Sequence, residues 1–258
     1  MIQRVVCQKL APVLILSGLL LFPACGSGYR IAETEGGRVE MTSAYDKTPD
    51  REALDILLPY KAKVDSVMKP VIGKSSMPMK PERPESLLSN LIADVLRESS
   101  LKYTGETAEV AIINIGGLRN DLPKGNVTYG DVFEILPFEN SLCILTMDGK
   151  ALEQLFWEIA NVKGEGLSGA ELKISPDGKL INALVHGEAI DQNRKYRVAT
   201  VDYLSEGNDG MTAFMQATEK VCPDGATVRQ LFLDYIIGLT KKGKEVTSGL
   251  DGRIRIEK

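Results

Sequence analysis

The sequence predicts an α+β fold, of mixed α and β class. Apolar residues recur at helical spacing in four stretches, about 50–68, 84–100, 150–161 and 226–241. Short apolar runs bounded by turn residues lie between these stretches and indicate strands. The connections are of both crossover and hairpin length, which favours a mixed class. With 258 residues, 43% of them hydrophobic, the chain can bury a substantial core.

Residues 1–25, MIQRVVCQKLAPVLILSGLLLFPAC, are typical of an export signal, with Arg4 and Lys9 before an apolar stretch. A helix over that stretch, 10–24, would span roughly 22 Å, short of the ~30 Å hydrocarbon layer, which disfavours a permanent membrane anchor. The segment 21–25 is similar to a bacterial lipobox, in which Cys25 is lipidated; an ordinary signal peptide cleaved nearby is the alternative. We expect an exported protein, lipid-anchored to the bacterial cell envelope at its periplasmic face or at the cell surface.

Residues 26–49 are polar and glycine-containing, and predict a tether with a short hairpin at 29–31 and 39–41. A helix start follows, with Thr48 as cap and Pro49 at the first helical position. The helix 50–68 carries apolar residues along one face and is expected to pack against other elements. The main domain is therefore expected to cover 50–258.

The remaining elements follow in order along the chain. Those before residue 162 are a strand at 71–73, a helix at 84–100, a strand at 110–113, a short helix and turn within 128–142, a strand at 142–147, a turn at 148–149 and a helix at 150–161. Those after it are a three-stranded meander at 171–175, 180–185 and 195–202, a helix at 226–241, and a closing strand at 253–256.

Composition and motifs exclude several classes of protein. The whole chain has one histidine, His186, which precedes a glycine and is predicted to lie in a turn. Dinuclear metallophosphatase and zinc sites need several imidazoles in a fixed array, so this chain is not expected to hold its own metal or cofactor. No GxSxG, Walker or GxGxxG motif is present. The net charge of −4, with both signs interleaved, argues against nucleic-acid binding by bulk electrostatics.

Two cysteines, Cys143 and Cys222, lie beyond the signal region. In an exported chain they permit one disulfide, but sequence alone does not place their Cα atoms within bonding range. Cys143 lies in the apolar run SLCILTM, which favours a buried core position. Pairing therefore stays open at this point.

Ligand-holding residue types gather in three stretches at the ends of predicted strands. These stretches are 114–119 (NIGGLR), 137–140 (PFEN) and 202–210 (DYLSEGNDG). Glycines allow close backbone approach or positive φ, an arginine offers a planar fork to phosphate, and aromatic rings can stack on a base. Taken singly, Phe138 or Tyr203 could be core residues, and Asp209 could only cap a turn. Together these residue types suit a nucleotide.

The stretches NIGGLR, LPFENSL and ATVDYLSEGNDG, in this order, resemble the C-terminal substrate-recognition domain of the 5′-nucleotidase and UDP-sugar hydrolase family. The segment ESLLSNLIADVL is similar to a helix of that domain, and the resemblance covers about 50–258. It implies a single compact mixed α/β domain in which helices flank a mixed sheet. It also implies a clamp for the base between Phe138 and Tyr203.

The same resemblance implies roles for the other candidate residues. Arg119 would contact phosphate or sugar, Asn114 would reach the base, and Asp209 would bind the ribose. Gly116 and Gly117 form the double glycine that presents Arg119. A further family arginine precedes the helix, and Arg83 is its nearest candidate, in an uncertain register because Pro84 follows. No residue is expected to be catalytic.

Enzymes of the family carry an N-terminal metallophosphatase domain with two metal ions. This sequence has no such motifs upstream of the helix 50–68. We therefore expect the nucleotide-recognition subunit of a split 5′-nucleotidase acting in nucleotide catabolism, with divalent metals in a separate metallophosphatase polypeptide. The alternative is a non-catalytic envelope lipoprotein that binds nucleotides or nucleosides. A third interpretation is a scaffold that keeps the fold without the ligand.

Overall fold

The computed structural model describes residues 31 and 33–257. The predicted signal peptide, Cys25 and the first part of the tether lie outside the described residues. The chain divides into two units, 1–53 and 54–258. Among the helices that the structure describes, none has the length and apolar character needed to cross a membrane.

The described part of the first unit is mostly irregular. Its only described regular elements are a 3₁₀ turn at Tyr45–Lys47 and the start of helix α1, Arg51–Met68. Residues 39–41 form no strand in this described part, so the predicted hairpin is wrong there. Asp50, rather than Thr48, caps α1, because its Oδ1 accepts a hydrogen bond from the Ala53 amide at 3.0 Å.

Helix α1 does not bury its apolar face in the described structure. None of its residues is buried, and only Asp65 and Met68 are half-buried. Leu57 and Val64 are more than half exposed. The prediction that this helix packs against other elements of the described chain is therefore wrong.

The second unit contains the remaining helices and strands. The helices are α2 Leu87–Thr104, α3 Tyr129–Ile135, α4 Gly149–Asn161, α5 Asp202–Ser205 and α6 Val228–Lys241. The strands are β1 Val71–Ser75, β2 Val110–Ile113, β3 Gly125–Thr128, β4 Leu142–Asp148, β5 Gly166–Ser168, β6 Ala170–Ile174, β7 Leu180–Val185, β8 Glu188–Ala189, β9 Lys195–Val201, β10 Glu219–Val221 and β11 Ile254–Ile256. Helices and mixed sheets together confirm the predicted α+β class.

The central sheet has five strands in the order β10-β4-β9-β2-β5. Strands β2 and β9 are parallel, so their carboxyl ends lie at the same edge of the sheet. Strand β4 runs antiparallel to β9 with Leu142 opposite Val201, so β4 begins at that edge. Three loops therefore meet there: those that leave β2 and β9, and the one that enters β4. Helix α2 packs on β2 and β5.

A second sheet has four strands in the order β11-β6-β7-β8, and β1 pairs with β3 in a third. The predicted meander is wrong in its last strand, because β9 joins the central sheet instead of β7. On the side away from β6, β7 pairs with the short strand β8. The two strands are joined by a turn in which His186 and Gly187 have φ of 51° and 82°. The buried run in β9 is typical of a central strand, a signal that the meander prediction overlooked.

Side-chain caps set the helix starts. Ser86 and Ser89 form a capping box at α2, and Thr128 and Asp131 form another at α3. Asp148 Oδ1 accepts from the Ala151 amide at 2.8 Å, so α4 follows β4 directly and the predicted Asp148-Gly149 turn is a helix cap. Helix α2 begins three residues after the predicted start at residue 84, because Ser86 caps it and Pro84 lies before the cap.

Cys143 is both buried and paired. Its side chain is fully buried on β4, and a disulfide joins it to Cys222, which directly follows the edge strand β10. Residues 222–228 run beside the entrance to β4: the Leu142 amide donates to Ala226 O at 2.8 Å, and Ser141 bridges Thr227. The disulfide thus holds this segment against the loop that enters β4.

Candidate functional site

A cavity of about 420 Å³ opens at the edge of the central sheet where the three loops meet. The residues that line it are Asn114, Gly116, Gly117, Arg119, Phe138, Asn140, Tyr203 and Asp209. The fold brings together seven of the sequence-predicted site residues, because parallel β2 and β9 end, and antiparallel β4 begins, at one edge. Arg83 is not among the lining residues.

The first loop, 114–119, turns sharply as it leaves β2. A 3₁₀ turn spans Ile115–Gly117, and the Gly117 amide donates to Asn114 O at 3.0 Å. Neither glycine has a positive φ, so conformational freedom is not the reason for them. A Cβ on Gly117 would lie 2.9 Å from Asn114 Oδ1, so glycine leaves room for the Asn114 side chain beneath the loop.

Arg119 sits at the cavity wall with its guanidinium available to a ligand. Its backbone amide donates to Ile135 O at 2.9 Å, which ties the first loop to α3. Among the described residues its side chain makes one hydrogen bond, from Nη1 to Gly116 O at 3.2 Å. The remaining N–H groups of the fork are suited to a phosphate.

The second loop, 136–141, is held by an arginine that sequence reasoning missed. Arg229 on α6 is buried and donates to Leu136 O at 3.0 Å and to Pro137 O at 3.1 Å. It also pairs with Glu139, and its guanidinium lies 4.6 Å from the Phe133 ring centroid. Arg229 thereby fixes the loop that presents Phe138, and Phe138 itself is 50% exposed. In the sequence, Arg229 is a single arginine within a predicted helix, and that was the only signal for it.

The third loop leaves β9 through the short helix α5. The Tyr203 amide donates to Asp202 Oδ1 at 2.8 Å, and Asn208 Nδ2 donates to Tyr203 O at 2.7 Å. Gly207 and Gly210 adopt φ of 82° and 78°, and between them Asp209 has a φ of 54°. This left-handed backbone is uncommon for a residue other than glycine, although Asn and Asp adopt it more readily than most.

Asp209 joins the first and third loops. Its Oδ2 accepts a hydrogen bond from Asn114 Nδ2 at 2.7 Å, and its Oδ1 accepts one from the Tyr203 hydroxyl at 2.8 Å. We call Asn114, Tyr203 and Asp209 the Asp209 junction. The hydrogen bond to Asp209 and the carboxylate charge raise the pKa of Tyr203 above its ordinary value. Asp209 is thus more than a turn cap, because its side chain lines the cavity and accepts hydrogen bonds from both Asn114 and Tyr203.

Asn114 is placed differently from the role that the resemblance implies. It is 95% buried, with its amide nitrogen committed to Asp209 and its Oδ1 without a hydrogen-bond partner among the described residues. Asn140, from the second loop, also lines the cavity. Two amide side chains, those of Asn114 and Asn140, therefore border the cavity.

Arg83 is connected to the first loop through Glu165 and does not line the cavity. Its Nε donates to Gly164 O at 2.8 Å, and its guanidinium pairs with Glu165. Glu165 is 97% buried and accepts a hydrogen bond from the Ile115 amide. Burial raises the pKa of Glu165, opposed by the Ile115 amide and Arg83. Sequence reasoning missed Glu165, since a carboxylate after Lys163-Gly164 resembles an ordinary surface charge.

The described residues do not form a metal centre. Across residues 31 and 33–257, no group of three or more His, Cys, Asp and Glu side chains is arranged to hold a metal ion. His186 lies exposed in the turn between β7 and β8, as predicted. The donor set on this part of the chain therefore does not fit a dinuclear metallophosphatase site.

A second cavity, of about 300 Å³, lies at the far end of β5 beside α2 and β11, and Arg253 in its lining pairs with Asp94 and Asp251. Arg253 binds both oxygens of Asp94, at 2.7 and 2.9 Å, and Ser168 Oγ donates to Asp94 Oδ1 at 2.6 Å. Arg97 Nε donates in turn to Ser168 Oγ at 2.8 Å. This network ties the last strand to α2.

Comparison with known proteins identifies the class of domain. Residues 71–216 match the family described as "5′-nucleotidase, C-terminal domain". The match covers more than half of the 258 residues, and the chain belongs to this family. The resemblance drawn from the three loop motifs is thereby confirmed.

The relatives are longer proteins. The trifunctional nucleotide phosphoesterase protein YfkN of Bacillus subtilis is 26% identical over 87% of this chain and 16% of its own length. Protein UshA of Yersinia enterocolitica is 29% identical over 70% of this chain and 34% of its own length. The chain thus spans about a sixth and a third of the lengths of these two curated relatives.

Solved structures agree in fold. The 5′-nucleotidase precursor from Thermus thermophilus is 28% identical, with a TM-score of 0.69, over 80% of this chain and 43% of that one. The NAD nucleotidase of Haemophilus influenzae is 22% identical, with a TM-score of 0.58, over 88% of this chain and 48% of that one, a likeness of fold alone.

Proposed function

We propose that this chain is the nucleotide-recognition subunit of a split 5′-nucleotidase. The observation that carries the proposal is the meeting of Arg119, Phe138, Tyr203 and Asp209 around one cavity of about 420 Å³. These groups match the parts of a nucleotide: a cationic fork for phosphate, two rings for the base, and a carboxylate for sugar hydroxyls. Family membership supports the same assignment.

The chemistry of phosphate-ester hydrolysis would come from a separate metallophosphatase polypeptide. In support, the described residues offer no metal-holding cluster, and the whole sequence contains one histidine. Divalent metal ions in that partner would activate water and bind the phosphate. The residues of this chain would bind and orient the nucleotide, which raises the rate by positioning.

Each candidate residue has a proposed role in binding. Phe138 and Tyr203, 50% and 40% exposed, would stack on the two faces of the base. Arg119 would contact the phosphate or sugar and Asp209 the ribose, with Gly116 and Gly117 forming the floor of the cavity. Asn114 would reach the base only if the Asp209 junction opens. Arg83 would act through Glu165 rather than at the ligand.

Phosphate release from AMP tests the split arrangement. The purified chain, a metallophosphatase encoded by a neighbouring gene, and their mixture would be assayed with Mn²⁺, together with an Arg119→Ala mixture. We expect hydrolysis to be fastest in the wild-type mixture and absent with the chain alone. Robust hydrolysis by the chain alone would contradict the proposal.

A second candidate function is a stand-alone binding protein that captures nucleotides or nucleosides without hydrolysis. One observation favours it: the Asp209 junction and the contacts that hold the Phe138 loop are hydrogen bonds between residues of this chain. AMP binding by the chain, with no gain in hydrolysis when a metallophosphatase is added, would favour this function over the split enzyme.

We also propose export and attachment to the cell envelope through a lipid on Cys25, on the basis of the signal and lipobox-like sequence. Detergent-phase partitioning of the protein from bacterial membranes tests this. The wild type should enter the detergent phase and Cys25→Ala should stay in the aqueous phase. Equal partitioning of the two would count against lipidation.

A further inference from the structure

The Tyr203 hydroxyl has a role that a phenylalanine at this position could not perform. Tyr203 is 40% exposed and lines the cavity, and its hydroxyl donates to Asp209 Oδ1 at 2.8 Å. Stacking on a base needs only the ring, because every aromatic face provides the same surface. The hydroxyl is therefore not needed for stacking and can form a separate hydrogen bond.

Asp209 needs restraint to hold one orientation. It lies on an exposed loop with a φ of 54°, between two glycines of positive φ. Its carboxylate would rotate freely without side-chain partners. Tyr203 holds one oxygen and Asn114 holds the other, at 2.8 and 2.7 Å.

A carboxylate held in this way still has acceptor capacity. Two carboxylate oxygens provide about four lone-pair sites, and the Asp209 junction uses two of them. The two remaining sites, one on each oxygen, match two donors side by side. A vicinal diol, such as the 2′- and 3′-hydroxyls of a ribose, presents that pair.

We propose that the Tyr203 hydroxyl is a positioning group that orients Asp209 for a vicinal diol, so that the site prefers ribonucleotides to 2′-deoxyribonucleotides. This inference rests on the proposed nucleotide-binding function. A deoxyribose supplies one hydroxyl instead of two and leaves one carboxylate oxygen without a ligand donor, which weakens binding.

The test is calorimetric titration of the purified chain with AMP and with 2′-deoxy-AMP. Wild type, Tyr203→Phe and Asp209→Asn are compared, with Tyr60→Phe as the matched control, because Tyr60 is a 70% exposed tyrosine on α1 outside the cavity lining. We expect Tyr203→Phe to lower the ratio of AMP to 2′-deoxy-AMP affinity by about five-fold, the usual effect of one hydrogen bond. The affinity for 2′-deoxy-AMP should change by less than about two-fold, because the stacking ring is kept.

Asp209→Asn should bring the ratio close to one, and Tyr60→Phe should leave it unchanged. A ratio that is unchanged or higher in Tyr203→Phe overturns the inference, as does a wild type that binds both ligands equally. A wild type that binds neither ligand rejects the proposed function itself, so the two failures are distinct. Thermal melting of each variant identifies a loss of folding, which would lower both affinities together.

Discussion

Asn114 Nδ2 donates a 2.7 Å hydrogen bond to Asp209 Oδ2, a residue ninety-five positions further along the chain. This bond joins the loop after β2 to the loop after β9. It exists because β2 and β9 are parallel neighbours whose carboxyl ends share one edge. A hydrogen bond between the two loops restricts their relative movement, which lowers the entropy that would be lost if a ligand ordered them.

The coupling between these two residues is measurable. We expect Asn114→Ala and Asp209→Ala each to weaken AMP binding, and the double variant to lose less than the sum by about 1 kcal/mol. The reason is that either change alone breaks the same hydrogen bond. Affinities by calorimetry give the cycle, with Asn193→Ala, an exposed asparagine outside the cavity lining, as the control. Strict additivity would contradict the coupling.

Arg119 should distinguish a nucleotide from a nucleoside. Arg119→Ala is expected to weaken AMP binding by roughly ten- to a hundred-fold, since a hydrogen bond to a charged group contributes about 1.5–3 kcal/mol. The affinity for adenosine should change by less than about two-fold, because adenosine carries no phosphate. Parallel titrations measure both, with Arg51→Ala on exposed α1 as control. An equal loss for both ligands would place Arg119 at the sugar or base.

The raised pKa of Tyr203 reports the Asp209 junction directly. Asp209 favours the protonated phenol by accepting its hydrogen bond and by its charge, so Asp209→Asn should lower the pKa of Tyr203 toward its ordinary value of 10.0. Ultraviolet titration of tyrosinate, with Tyr203→Phe subtracted, isolates this group. An unchanged titration in Asp209→Asn would show that the two side chains do not interact in solution.

The same shift has a consequence for stability in alkali. A group whose pKa is higher in the folded state than in the unfolded state stabilises the fold, and this contribution is fully present below the unfolded-state pKa. The contribution is lost as the pH rises through the folded-state pKa. For Tyr203 the loss therefore begins near pH 10 and above. Tyr203→Phe should flatten this part of the stability profile relative to Tyr60→Phe.

The disulfide should contribute to stability. Cys143 and Cys222 are 79 residues apart, and closing a loop of that length stabilises a fold by roughly 2–4 kcal/mol. We expect the double Cys→Ala variant to unfold at lower urea concentration than the oxidised wild type. Reductant should lower the midpoint of the wild type and leave that of the variant unchanged. Identical midpoints for all samples would mean that the bond does not form.

The sequence was sufficient to predict most of the candidate site, because chemistry-bearing residues at strand ends follow from local patterns. It could not show that Asn114 lies under Gly117, or that Arg229 fixes the Phe138 loop, since both depend on contacts between distant segments. Periodicity located the four main helices but placed β9 in the wrong sheet. Strand pairing is set by tertiary packing, which alternating patterns do not encode.

The central claim is that this cavity binds a nucleotide between two rings, and calorimetric titration with AMP tests it most directly. The wild type, the Phe138→Ala/Tyr203→Ala double variant and a Trp157→Ala control would be compared, because Trp157 is an aromatic residue of similar exposure, 47%, on α4. We predict saturable binding by the wild type and the control, and a loss of roughly five- to a hundred-fold for each ring removed. No AMP binding by the wild type, or equal affinity in the double variant, would contradict the account.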